Sequence, residues 1–153
     1  MRKFRLIIAA TMIVAAATPV AHAYQNEPDG FRGFTWGTPK DQVDAKVDFT
    51  FNRNVDPNMT EYRSRRDLTM NGIELTYNFY DFYKGRFMAG TMTAYASHCD
   101  SMLQILVARF GAPTKKIKCR KSFSWEGAVT TIVYDCDHRH DECRVAGIDG
   151  SYQ

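Results

Sequence analysis

Beyond residue 23 this sequence has no surplus of either charge, no apolar run of membrane-spanning length and no Cys-x-x-Cys pair. Each absence narrows the functions to consider. Arg2, Lys3 and Arg5 are three of the 20 Lys and Arg, and the first 23 residues hold none of the 17 Asp and Glu, so residues 24–153 carry 17 basic against 17 acidic side chains. A balanced chain lacks the basic footprint that neutralises phosphates, and nucleic acid is not an expected partner. Nor is a transmembrane segment expected after residue 23. Without the close cysteine spacing of a zinc knuckle or a redox motif, the cysteines read as bridges. Ser97, Ser101 and Ser124 stand in no nucleophile-elbow context, and nothing fixes the separation of Asp81, Asp135 and Asp137 as an acid/base set, so no catalytic residue is assigned; the reading favours a non-enzyme, with a small hydrolase or inhibitor-like factor as the alternative.

The first 23 residues have a logic of their own. Three basic residues precede the apolar run LIIAATMIVAAATPV, which ends at Ala21-His22-Ala23. This is the pattern of a secretory signal peptide over 1–23, cut after Ala23, and it predicts a periplasmic or secreted protein. Tyr24 to Gly30 is polar and turn-rich and reads as a flexible mature N-terminus over 24–30. Residues 31–153 then make one domain.

Within that domain Thr38, Pro39 and Asp41 mark the start of a short helix from Pro39 to about Val47. Strand-like segments come next at DFTFNRN, EYRSRRDLT, GIELTYNFYDFY and RFMAGTMTAY, the last two joined by Lys84-Gly85, a turn signal for a tight hairpin. Ser97 is read as the cap of a second helix whose Cys99, Met102, Leu103, Leu106 and Phe110 share one face, and Gly111 and Pro113 stop it. Three more strands, IKCRKSFSW, VTTIVYDC and ECRVAGID, complete the chain. The order predicts a disulfide-stapled α+β fold, an antiparallel sheet with two helices packed on one face, arranged as two helix-plus-strands halves.

An even cysteine count in an oxidising compartment favours two disulfides. A two-residue loop at Gly127-Ala128 sets Phe123 opposite Ile132 and Cys119 opposite Cys136, and the next hairpin sets Cys136 opposite Cys143 and Tyr134 opposite Val145. The preferred pairing is Cys136–Cys143 with Cys99–Cys119, tying helix to sheet, and the competing pattern is Cys119–Cys136 with Cys99–Cys143. Cys119–Cys143 skips a strand, roughly 10 Å, which is beyond disulfide reach.

Two groups of residues are candidates for binding. Tyr77, Phe79, Tyr80, Phe82, Tyr83 and Phe87 fall on both faces of one hairpin, more aromatic surface than a sheet covered on one side can bury. An aromatic sheet face of that kind suits a protein or envelope component as partner. In DHRHDE, Asp137 to Glu142, His138 and His140 stand among acids and form a candidate zinc or copper site at a hairpin tip; no other cofactor is expected. Arg63, Arg65 and Arg66 are the densest basic cluster and read as a solvated strand face balanced by Glu61 and Asp67.

The segment FRGFTWGTPKDQV, with NFYDFYKGRFMAGTM, LVARFGAPT and FSWEGAVTTIVYD further on, resembles a group of small exported bacterial proteins that open with FRG-x-x-WG-[ST] before a short helix. The resemblance spans most of the chain after residue 30 and implies an exported α+β domain, with no activity attached. The helix-then-strands order is also similar to the small periplasmic modules of the BamE and beta-lactamase-inhibitor-protein type, which bind other proteins.

Overall fold

A computed structural model of the protein describes residues 24–117 and 121–152; the expected signal peptide over 1–23 and Cys119 lie outside them. The chain opens with the two-strand hairpin β1 (Gly30–Phe31) and β2 (Phe34–Thr35), followed by the five-residue helix α1 (Lys40–Asp44). Next come β3 (Thr50–Asp56) and β4 (Met59–Ser64), then a small hairpin of β5 (Thr69–Met70) and β6 (Ile73–Glu74), then β7 (Tyr77–Tyr83) and β8 (Arg86–Ala94). A 3₁₀ turn at Ala96–His98 leads into α2 (Cys99–Phe110), and β9 (Lys115–Ile117), β10 (Lys121–Trp125), β11 (Thr130–Asp137) and β12 (Glu142–Asp149) complete the order.

Eight of the strands form one antiparallel sheet in the order β3-β4-β7-β8-β12-β11-β10-β9. It consists of two four-stranded meanders that meet where β8 pairs with β12, from Ala94 opposite Cys143 to Ala89 opposite Ile148. The protein is therefore mostly β, and the expected pair of helices on a sheet face is corrected: the only helix longer than five residues among those described is α2. The reason lies in TPKDQVDAK, which offers the core a single buried side chain, Val43, and so has no apolar stripe with which to stabilise further turns. Thr38 does not cap it; its hydroxyl donates to the Thr35 carbonyl at 2.7 Å. Ser97 likewise lies inside the 3₁₀ turn, and α2 begins at Cys99 with no side-chain cap.

The strand period of two assigns one face of the sheet to the interior. One core cluster lies under α2, where Cys99, Met102, Leu106 and Phe110 meet Trp125, Ile132, Tyr134 and Val145. The other gathers Val43, Tyr80, Phe82 and Phe87 beneath Phe31, Phe34 and Trp36 of the N-terminal arm. Phe87 joins Tyr80 and Phe82 because β8 has one extra residue there: Asp81 faces Ala89 while Phe82 faces Phe87, which leaves Met88 as the bulge. The turn between these strands is Lys84-Gly85, both with positive φ, as a two-residue hairpin of this hand requires.

Residues 24–30 are not the loose terminus that their composition suggests. Tyr24 is buried and donates to the Thr130 carbonyl at 2.8 Å, and Glu27 Oε1 accepts the amides of Val129 and Thr130 at 2.6 and 2.8 Å. The hairpin that this contact touches also departs from the expected register. The loop runs from Glu126 to Val129, so Phe123 faces Tyr134 and Trp125 faces Ile132, two residues from the expected register. A shift of two preserves which face each side chain takes.

Candidate binding surfaces

The six hairpin aromatics divide between the two faces. Tyr80, Phe82 and Phe87 are corrected from contact residues to core: Phe31 meets Tyr80 edge-on at 5.6 Å between ring centres, Trp36 lies 5.2 Å from Phe87, and Phe49 lies 5.7 Å from Tyr80. Tyr77, Phe79 and Tyr83 stay half-exposed on the opposite face, from which neither core cluster draws a residue. There Tyr77 and Phe79 stand 5.9 Å apart, and the guanidinium groups of Arg63 and Arg65 lie 5.6 and 5.2 Å from the Tyr77 ring centre. The basic cluster thus joins the aromatic surface, where composition alone suggested solvent.

On the same face Asp81 is buried, opposite Glu61 on β4 and Ala89 on β8. Its Oδ1 has no hydrogen-bond partner. Burial, and then the Glu61 charge, push its carboxyl up to about 7. Glu61 itself is held by Arg53 at 2.9 Å and Asn52 at 2.5 Å. The sequence offers Asp81 only as a member of an acid/base set with Asp135 and Asp137; its burial was not legible there, because it depends on how β4, β7 and β8 align.

The cysteine arrangement differs from both patterns weighed for it. The bridge joins Cys99 of α2 to Cys136 of β11, and Cys143, opposite Cys136 on β12, is a buried free thiol 3.2 Å from the Met102 sulfur. The expected Cys136–Cys143 bond is therefore corrected, and Cys99–Cys119 with it, since Cys99 is already bonded. All three described cysteines do face the core. With two cysteines stacked across one hairpin beneath a third, register alone does not select the pair; the position of α2 does. Burial raises the Cys143 thiol to about 11.

The tip histidines do not converge. His138 Nε2 lies 3.4 Å from Cys136 Sγ, whereas His140 Nδ1 lies 2.7 Å from Asp137 Oδ2. The His140 bond and the Arg139 amide hold Asp137 well below the usual carboxylate range, at about 2. Cys99, Cys136 and His138 have their ligand atoms within 4.8 Å of one another.

The last feature is a cleft of about 390 Å³ between the N-terminal arm, the β5–β6 hairpin and α2, with Met92, Ile132 and Val145 of the sheet as its floor. Arg32 reaches into it from the turn between β1 and β2. Among the described residues no helix is long and apolar enough to cross a membrane. The chain matches no family model, no curated protein and no solved structure.

Proposed function

We propose that this is an exported, non-enzymatic binding module that contacts a protein or envelope component through the sheet face opposite both core clusters. The observation that carries the reading is the Tyr77–Phe79 pair with Arg63 and Arg65 stacked on Tyr77, on a face that supplies nothing to either core. Aromatic and arginine side chains at the centre of a flat patch are the residues that dominate protein contacts. Arg63 and Arg65 suit an acidic partner. Export rests on the pattern of residues 1–23.

The test is crosslinked capture from the native cell envelope with the wild type and with Tyr77→Ser/Phe79→Ser. Loss of a captured partner in the double variant, with unchanged thermal unfolding, supports the reading; equal capture removes this face as the contact. N-terminal sequencing of the protein recovered from the envelope fraction tests the cut after Ala23.

A second reading, metal binding, moves inward from the His138/His140 pair. Reduction of the Cys99–Cys136 bond would present two thiolates beside His138, a set suited to zinc or copper. Zinc titration of reduced and oxidised protein distinguishes it: binding confined to the reduced form and abolished by His138→Ala supports the site, and equal heats in both forms refute it.

A further inference from the structure

We propose that the cleft beneath the N-terminal arm is a binding site for a small amphipathic monocarboxylate, with its head on Arg32 and its tail along α2 and the sheet. The proposal does not depend on the Tyr77–Phe79 face, which is the opposite face of the sheet.

Its volume, about 390 Å³, falls within the range of roughly 300–1,000 Å³ that small-molecule sites occupy. The walls are chiefly apolar: Met70, Met92, Ile105, Phe110, Ile132 and Val145. The charged residues that line it are Arg32 and Arg109, with no acid among the described lining residues. An apolar hollow with cationic groups and no counter-charge selects an anion that carries an apolar body.

Arg32 is the group that would hold the head. Its Nη2 donates to neutral acceptors only, the Thr69 carbonyl at 3.1 Å, Asn78 Oδ1 at 3.4 Å and the Met92 sulfur at 3.7 Å. Its Nε is buried without a partner. A half-buried guanidinium normally has a carboxylate beside it, because neutral dipoles replace only part of its lost hydration. Asp67 shares only the neighbouring hollow with Arg32, and among the described residues no ion pair joins Arg32 to an acid, so here that carboxylate would come from the ligand. By turning about its side-chain bonds, Arg32 exchanges the two longest contacts, to Asn78 and Met92, for a charge-assisted pair through its Nε and Nη edge.

The backbone also argues for the side chain. Arg32 and Gly33 form the turn of the β1–β2 hairpin, and both have positive φ, at 53° and 82°. Such a turn favours Asn, Asp or Gly, so an arginine there works against local preference. What it adds is reach into the cleft.

The probe pair is decanoate, below its micelle concentration, and decanol, below its solubility limit, each titrated into the protein that begins at Tyr24 and followed by calorimetry and amide chemical shifts. Decanoate is expected to bind saturably and at least about tenfold more tightly than decanol, the factor expected of hydrogen bonds to a charged group. Shifts should concentrate at Met70, Ile105 and Val145. Arg32→Asn suits the positive-φ turn and so preserves the arm; it should abolish the preference for decanoate and leave decanol binding unchanged. Ile105→Glu, on the half-exposed rim of α2, should weaken decanoate more than decanol without touching the turn. The proposal is overturned if decanoate does not bind, if both probes bind the wild type equally, if Arg32→Asn keeps the preference, or if the shifts fall on Tyr77 and Phe79.

Discussion

The ring of Phe31 occupies the space where a side chain on Gly90 would stand: a Cβ built there lies 2.3 Å from two of its carbon atoms. Gly90 sits in the middle of β8, opposite Tyr80 on one side and Gly147 on the other, so this contact presses the arm onto the centre of the sheet. Gly90→Ala is expected to lift the ring and destabilise the protein by about 1–3 kcal/mol, the usual penalty of overpacking. Urea unfolding measures it. Adding Phe31→Ala to Gly90→Ala should cost less than the sum of the two single changes, because both act on one contact.

Glu27 ties the arm to the β10–β11 loop through the Val129 and Thr130 amides. Glu27→Ala is expected to cost about 1–3 kcal/mol, since hydrogen bonds to a charged group lie in that range. Hydrogen exchange at Val129 and Thr130 should accelerate well before exchange at Tyr134, whose strand stays covered by α2. Unchanged protection of the two amides would count against this anchoring role.

Peptide mapping of the unreduced protein should recover Cys99 linked to Cys136. The bond closes a loop of 37 residues, for which restriction of the unfolded chain gives about 4 kcal/mol. Cys99→Ser/Cys136→Ser should lose stability of that order. Cys143, buried and raised to about 11, should resist alkylation at neutral pH until the protein unfolds. A Cys136–Cys143 peptide in the map would contradict the Cys99–Cys136 bridge.

Asp81 gives the protein a stability that falls as pH rises. With its folded-state value raised to about 7 against an ordinary 3.8, the native state holds a proton that the unfolded chain has released across that interval. Stability is therefore highest below the unfolded value, declines between about pH 4 and 7, and is level above. The loss amounts to at most about 4 kcal/mol, from three pH units at 1.36 kcal/mol each. Asp81→Asn should flatten this part of the profile in urea unfolding at pH 5 and pH 8, and an unchanged slope would remove Asp81 as its source.

The period of the strands, the Lys84-Gly85 turn and the apolar face of α2 were legible in the sequence because each depends on neighbours a few residues apart. The pairing of Cys136 opposite Cys143 and Tyr134 opposite Val145 was legible for the same reason, one hairpin being enough to set it. The aromatic surplus at Tyr77 to Phe87 was also correctly read as too much for one core. Alternation also separates Tyr77, Phe79 and Tyr83 from Tyr80 and Phe82, but which set is covered was not legible, because the cover over Tyr80, Phe82 and Phe87 comes from Phe31, Phe34 and Trp36, some fifty residues earlier. The two-helix expectation for the fold failed at α1, where a well-placed Thr-Pro-x-Asp start was followed by a single core side chain.

By itself, then, the sequence determined strands, turns and which side chains share a face, since φ preferences and a period of two act locally. Tertiary structure decided the partners: β8 against β12, Cys99 with Cys136, Phe31 on Gly90, and Arg32 in an apolar cleft whose described lining holds no acid. Those choices join residues far apart in the chain, where local preference has no say and burial of apolar surface is the force that acts.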